Sequence, residues 1–137
     1  MKVKELKRVA PNKVGRIITN GVKLKTHEES TAIFLTQFGF NIEFIVPRND
    51  YRSKSADFFI NGAIWEAKSP IGNGKNNLAR QFHYASKQAG KLILDLRRIK
   101  MPTVKSEHQA KACFENTRNI RRLILITKDG RLLDISG

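Results

Sequence analysis

The sequence has 137 residues, and 26 Lys and Arg against 12 Asp and Glu give it a formal net charge of +14. A hydrophobic fraction of 40% suffices for one buried core, which excludes a disordered tail, and the positive charge predicts a polyanionic partner, with nucleic acid as the first candidate. The lone Cys113 excludes an intrachain disulfide, and neither a signal peptide nor an apolar run of membrane-spanning length is visible. We therefore expect action in a reducing cytoplasm.

The first 25 residues are rich in Lys and Arg and are interrupted by Pro11, Gly15 and Gly21. This pattern predicts a basic N-terminal arm with at most short helix or strand. Such an arm either contacts phosphates or is a solvated tail. We assign residues 1–25 to the arm and residues 26–137 to a single domain.

The stretch "THEESTAIFLTQFGF" predicts a helix that begins near Thr26 and ends before Gly39. Two adjacent glutamates lie in its first turn. Glu29 shares one helical stripe with three further residues, by the rule of spacings three and four: Ala32, Ile33 and Thr36. We therefore expect Glu29 on or near the buried face and Glu28 at the side.

The segment 40–47 alternates like a strand, and residues 55–70, "SADFFINGAIWEAKSP", predict a β-hairpin. The dipeptide Asn61-Gly62 between apolar runs is the typical signal of a type I′ turn. A two-residue turn there fixes the register of the two strands. It places Asp57 directly opposite Glu66.

The rest of the chain contains further helices and strands. After the first hairpin, the pattern predicts a glycine-rich loop over 69–77, a helix over 76–89, a strand over 91–96, a helix over 104–119 and a hairpin over 121–135 that turns at 128–130. This order predicts an α/β fold with a mixed sheet.

The hairpin carries Asp57, Glu66 and Lys68 on one face, because side chains alternate along a strand. Opposed Cβ atoms lie ~5 Å apart, so like charges there destabilise the pair. A Mg²⁺ or Mn²⁺ ion between the carboxylates would reverse that balance. Lys68 would then contact a phosphate, orient the attacking water or stabilise developing charge.

The same three residues also fit a charge ladder on a solvated face, in which Lys68 neutralises the two carboxylates. The large apolar residues on both faces of the hairpin argue against it, since they indicate burial and buried carboxylates need partners. On the residues alone, both interpretations stay open.

The pattern Asp57, eight residues, then Glu66-x-Lys68, after a helix with a glutamate, resembles the PD-(D/E)xK nucleases. Three longer stretches, "EESTAIFLTQFGF", "SADFFINGAIWEAKSPIGNGKNNLARQF" and "ASKQAGKLILDLR", resemble the C-terminal tRNase toxin domains of CdiA-type contact-dependent growth inhibition proteins. The resemblance covers about residues 28–98. It implies a restriction-endonuclease-like core, a central mixed β-sheet flanked by helices.

The resemblance also implies roles for single residues. Asp57 and Glu66 become metal ligands, with the backbone carbonyl of Ala67 as a third and Mg²⁺ or Mn²⁺ as the cofactor. Glu29 would hold a water on the metal or a second ion, and Lys68 would be the catalytic lysine. The chain departs from the pattern at Ala56, where the pattern has a proline.

Several polar residues are candidates for substrate contact: Ser69, Lys75, Gln88, Arg97 and Arg98. A structural role is the alternative for each, and Asp95 is expected to pair with Arg97 or Arg98. His83 beside Tyr84 is a candidate for stacking on a base.

The function that the resemblance implies is a metal-dependent ribonuclease that cleaves tRNA. It would be delivered as the C-terminal part of a larger secreted toxin and bound by an acidic immunity protein. One alternative is a small basic DNase of the same fold, such as a Holliday-junction resolvase or a restriction-like endonuclease. The other is a non-catalytic nucleic-acid-binding module, in which Asp57 and Glu66 are salt-bridged and bind no metal.

Overall fold

The computed structural model describes residues 1–45, 57–74, 76–87 and 90–137, and of Asp57 it describes the backbone alone. In chain order the elements are β1 (Lys2–Leu6), a 3₁₀ turn (Pro11–Lys13), β2 (Ile17–Ile18), α1 (Thr26–Thr36), β3 (Ile42–Ile45), β4 (Asp57–Ile60), β5 (Ala63–Lys68), α2 (Asn77–Ala85), β6 (Lys91–Asp95), α3 (Thr103–Asn116), β7 (Arg122–Ile126) and β8 (Leu132–Ser136). The mixed α/β class predicted from the sequence is confirmed.

The chain divides into two compact units, and strand β5 runs from one into the other. The first unit combines Met1–Leu6 with Glu66–Gly137, and the second is Lys7–Trp65. Within the predicted arm over residues 1–25, two short strands pair with the rest of the chain: β1 pairs with β8, and β2 pairs with β3.

The unit Lys7–Trp65 contains β2, β3, β4 and the first half of β5. β2 is parallel to β3, whereas β4 is antiparallel to both β3 and β5. The rings of Phe44 and Phe58 meet edge to face across β3 and β4, with their centroids 4.7 Å apart. Asn61 and Gly62 have φ values of 50° and 80°, which confirms the predicted type I′ turn.

The segment after β1 is bound to the C-terminal end of α1. The Val9 N–H donates to the Gln37 carbonyl at 3.0 Å, and the Gly15 N–H donates to the Thr36 carbonyl at 2.9 Å. The Arg8 guanidinium lies 5.7 Å from the Phe34 ring centroid, close enough for a cation–π contact. Gly15 also lies against the Phe40 carbonyl, which leaves no room for a side chain at residue 15.

In the other unit, β6 lies parallel to both β5 and β7, while β8 is antiparallel to β7 and β1 to β8. Helices α2 and α3 contact each other and pack on one face of this sheet through apolar side chains. The members of this core include Leu78, Phe82, Leu92, Leu94, Phe114, Leu123 and Leu125. Helix α2 ends at Ala85, earlier than predicted, and Gln88 lies outside the described residues.

Arg131, the residue before β8, links three parts of this unit. Its guanidinium pairs with Glu107 of α3, with Asp129 at 3.1 Å and with Glu5 of β1 at 3.8 Å. Burial raises the pKa of Glu107, but hydrogen bonds from Lys111 and Arg131 outweigh it, so that this pKa lies below its ordinary value. The carboxylate therefore favours the folded state at neutral pH and loses this effect as pH falls through the carboxyl range.

We predict that Gly15→Ala lowers the free energy of unfolding by about 3 kcal/mol, the upper end of overpacking costs. A Cβ at residue 15 would lie 1.8 Å from the Phe40 carbonyl oxygen, which is backbone and cannot rotate away. Gly74→Ala is the matched control, because a Cβ there meets no atom within 4 Å. Urea unfolding of the two variants measures the difference, and equal stabilities would contradict the packing described here.

Candidate active site

The second half of β5 carries an ion pair between Glu66 and Lys68. The Lys68 Nζ lies 3.0 Å from Glu66 Oε1, and the two side chains are 26% and 6% exposed. Strand pairing sets Glu66 beside Leu92 and Lys68 beside Leu94. Partners in a parallel pair share a face, so both charged side chains lie on the face where α2 packs. The prediction that Glu66 and Lys68 share one face is confirmed.

The backbone of Asp57 begins β4 and pairs with Ile45 of β3. In the β4–β5 hairpin, Phe58 pairs with Trp65. These two residues are the sequence neighbours of Asp57 and Glu66. The Asp57 side chain is outside the described part of the structure, so its distance from Glu66 stays a prediction. Among the side chains that are described, no three His, Cys, Asp or Glu form a metal-binding cluster.

The predicted burial of Glu29 is wrong. Glu28 is buried and Glu29 is exposed, because the buried stripe of α1 continues from Glu28 through Ala32 to Leu35. Ile33, which the prediction placed inside, is 47% exposed. Glu28 Oε1 also accepts a hydrogen bond from the N–H of Lys25 at 2.9 Å, so Lys25, and not Thr26, is the N-cap of α1.

That capping bond is a feature which the sequence analysis missed. A glutamate three residues after the cap, returning a bond to the cap's backbone N–H, is half of the common capping box. The spacing from Lys25 to Glu28 was therefore the available signal. It was obscured because Lys is an unusual N-cap and Thr26 a common one.

The loop after β5 is tied to the turn after β6. Arg98 donates from Nε to Ser69 Oγ at 3.0 Å and from Nη2 to the Ser69 carbonyl at 2.6 Å. The Lys100 N–H donates to the Gly72 carbonyl at 3.3 Å. Two of the predicted substrate-contact residues, Ser69 and Arg98, thus lie together, and they do so because parallel strands end at the same edge of a sheet.

Arg97 makes a different contact. Its Nε and Nη2 donate to the two oxygens of Asp95 at 3.0 and 2.7 Å, and its backbone N–H also donates to Asp95 at 3.1 Å. The Asp95 side chain is 3% exposed and that of Arg97 is 28% exposed. The expected pairing of Asp95 is confirmed, with Arg97 as the partner.

This edge of the sheet therefore concentrates positive charge. Strand β5 ends at Lys68, and β6 is followed by Arg97, Arg98 and Lys100. The carboxylates beside these bases are buried. Such an arrangement suits a phosphate group. Lys75, also predicted to contact substrate, lies outside the described residues.

Comparison with known proteins assigns the chain to a family. Residues 54–132 match the family model described as "Contact-dependent growth inhibition CdiA C-terminal domain". This match spans more than half of the chain and includes the hairpin, the glycine loop and α2. The chain belongs to the CdiA C-terminal domain family. It is therefore a toxin effector domain of contact-dependent growth inhibition, and the resemblance seen in the sequence is confirmed at this level.

A solved structure, "CdiA-CT/CdiI toxin and immunity complex from Burkholderia pseudomallei", is similar to this domain in fold. The TM-score is 0.66 at 16% sequence identity, over 90% of this chain and 100% of that chain. No curated protein matches the sequence. Membership of the PD-(D/E)xK superfamily stays a prediction.

None of the helices in the described segments has the length and hydrophobicity needed to cross a membrane.

We predict that Arg97→Ala destabilises the domain more than Asp95→Ala does. Loss of the guanidinium leaves a buried carboxylate without its charge-balancing partner, which costs about 3 kcal/mol. Loss of the carboxylate leaves an arginine that is already partly hydrated, so we expect about 1 kcal/mol. Urea unfolding gives both values, with the exposed Arg118→Ala as control. The reverse order would show that the guanidinium does not balance a buried charge.

Proposed function

We propose that this CdiA C-terminal domain is a metal-dependent ribonuclease that cleaves phosphodiester bonds of tRNA. The observation that carries the proposal is the Glu66–Lys68 pair on one face of β5, followed at once by Ser69 bound to Arg98. A buried acid next to a partly exposed cation, at an edge rich in Arg and Lys, suits chemistry on a phosphate.

The donor set fits a hard divalent cation. Asp57 and Glu66 would supply carboxylate oxygens and Ala67 a backbone carbonyl, and oxygen ligands of this kind suit Mg²⁺ and Mn²⁺. When bound, the ion would neutralise charge on the scissile phosphate. The proposal needs Asp57 to face Glu66, and the turn at Asn61-Gly62 supports it because it aligns the hairpin in the required register.

Lys68 has a separate task. An ammonium group does not ligate a metal, so Lys68 would stabilise the negative charge that builds up on the phosphate oxygens during cleavage. Its contact with Glu66 holds the Nζ atom on the same face as the carboxylate. Ser69 and Arg98, fixed to each other, would bind a neighbouring phosphate, and Arg97 would add to the positive field.

Glu29 remains our candidate for an auxiliary carboxylate, for a reason other than burial. Glu28 already accepts the capping bond from Lys25, whereas Glu29 is exposed in the first turn of α1. An exposed carboxylate is accessible to a second ion.

We also propose that an acidic immunity protein binds this domain. The similar Burkholderia structure is a complex of a toxin with its immunity protein, and a net charge of +14 is complemented by an acidic surface. The domain would be delivered as the C-terminal part of a larger secreted protein and act in the cytoplasm of the recipient cell.

For catalysis, we predict that Lys68→Ala still binds RNA but cleaves it slower by ~10² or more, the effect of removing one preorganised charge stabiliser. The reason is that its charge acts mainly in the transition state, so kcat falls more than affinity. The measurement is single-turnover cleavage of mixed tRNA at saturating protein, and Lys105→Ala, an exposed lysine of α3, is the control. Full activity of Lys68→Ala would refute the mechanism.

For the metal, we predict that Mg²⁺ or Mn²⁺ raises the Tm of the wild-type protein, since a ligand of the native state stabilises it. Glu66→Gln should abolish this rise, because an amide of the same shape is a poor ligand for the ion. Glu107→Gln removes a carboxylate of α3, distant in sequence from Glu66, and serves as the control: its Tm should still rise on addition of the metal. An undiminished rise in Glu66→Gln would remove Glu66 from the metal site.

A second candidate is a non-catalytic nucleic-acid-binding module. The Glu66–Lys68 ion pair favours it, because a carboxylate that already has a cationic partner needs no metal. The two candidates differ in the assays above. A binding module would show no effect of metal on Tm and no cleavage of tRNA or of plasmid DNA, whereas cleavage of the DNA alone would indicate the DNase.

A further inference from the structure

The outward face of α2 combines aromatic and cationic side chains. Arg80, His83, Tyr84 and Lys87 are exposed, and Tyr84 has 52% of its surface accessible. The opposite face is buried through Leu78, Phe82 and Ala85. No Asp or Glu lies between Asn77 and Ala85. We call the four exposed residues the α2 surface.

The geometry of the α2 surface places the two rings between the two cations. Arg80 and Tyr84 are four residues apart and therefore neighbours on the helix. Lys87 lies in the turn after the helix, where its N–H donates to the Tyr84 carbonyl at 3.3 Å. The His83 and Tyr84 rings have centroids 5.9 Å apart and are tilted by 56°.

The helix beneath this surface is held rigidly. Phe82 and Leu78 are each 1% exposed and belong to the core that α2 shares with α3 and the sheet. The exposed rings are thus displayed on a fixed support, which reduces the entropy lost when a ligand binds.

We propose that the α2 surface binds unpaired nucleotides of RNA, with a base stacked on Tyr84 and the adjoining phosphates contacted by Arg80 and Lys87. Every base has a face that stacks on an aromatic ring, and cations beside the ring suit the backbone. A nucleotide combines a planar base with a charged phosphate, so it matches a ring that lies between two cations. The identity of the polymer as RNA rests on the proposed function.

The α2 surface also has a defined relation to the candidate active site. Helix α2 packs on the face of the sheet that carries Glu66 and Lys68, and the glycine loop after Ser69 leads directly into it. A nucleotide stacked on the α2 surface would lie on the side of α2 that faces away from Glu66 and Lys68.

The test is the binding of a fluorescently labelled single-stranded RNA oligonucleotide, measured by anisotropy in EDTA over a range of salt concentrations. Tyr84→Ala should weaken binding about tenfold, within the range for loss of one base stack, and leave the salt dependence unchanged. Tyr84→Phe should bind like the wild type, because the ring is retained. Arg80→Gln and Lys87→Gln should each lower the salt slope by ~0.7, as expected for one phosphate contact on a single strand.

Val104→Ala and Lys105→Gln, both exposed on α3, are the matched controls and should change neither affinity nor slope. Unchanged affinity of Tyr84→Ala, or equal weakening of Tyr84→Phe, would overturn the proposal, as would the same Tyr84 dependence on fully paired RNA. If Tyr84→Ala weakened the binding of an acidic immunity protein and left the affinity for RNA unaltered, the surface would be reassigned to that protein. Cleavage of tRNA is measured in a separate assay. If the wild-type protein cleaves no RNA but Tyr84→Ala weakens binding as predicted, the proposed ribonuclease activity is refuted and the proposal that the α2 surface binds RNA stands.

Discussion

The register of one hairpin is the constraint on which the candidate site depends. The turn at Asn61-Gly62 has both residues in the left-handed region, and this geometry admits only one alignment of β4 with β5. A slip by one residue would turn Glu66 and Lys68 to the opposite face of β5. The two residues that carry the proposed chemistry are thus oriented by two residues that take no part in it.

The charges at the edge of the sheet follow one arrangement, in which acids are buried and bases point outward. Asp95 holds Arg97, and Glu66 holds Lys68. Each acid orients its base and is less exposed than that base. The more exposed member of each pair is therefore the base, and because the bases are already oriented they lose little entropy when a phosphate arrives.

The sequence predicted those parts of the fold whose signals are local. The hairpin, strand β6 and the final hairpin were foreseen, because turn residues and apolar runs determine them within a few positions. The buried face of α1 was not, since Glu28 and Glu29 each lie on a plausible stripe and only packing in the folded protein separates them. The bond between Ser69 and Arg98 joins two strand ends, and residues so far apart leave no joint pattern in a sequence.

The pairing of β1 with β8 sets Lys2 opposite Ser136, so the two ends of the chain meet in one sheet. These two strands lie far apart in the sequence, and closing so long a loop is entropically unfavourable until the elements between them are in place. We therefore expect strand β1 to dock late in folding, onto a β8 that is already paired with β7. Until β1 is in place, β8 is an open sheet edge, which is a template for misassociation with other chains.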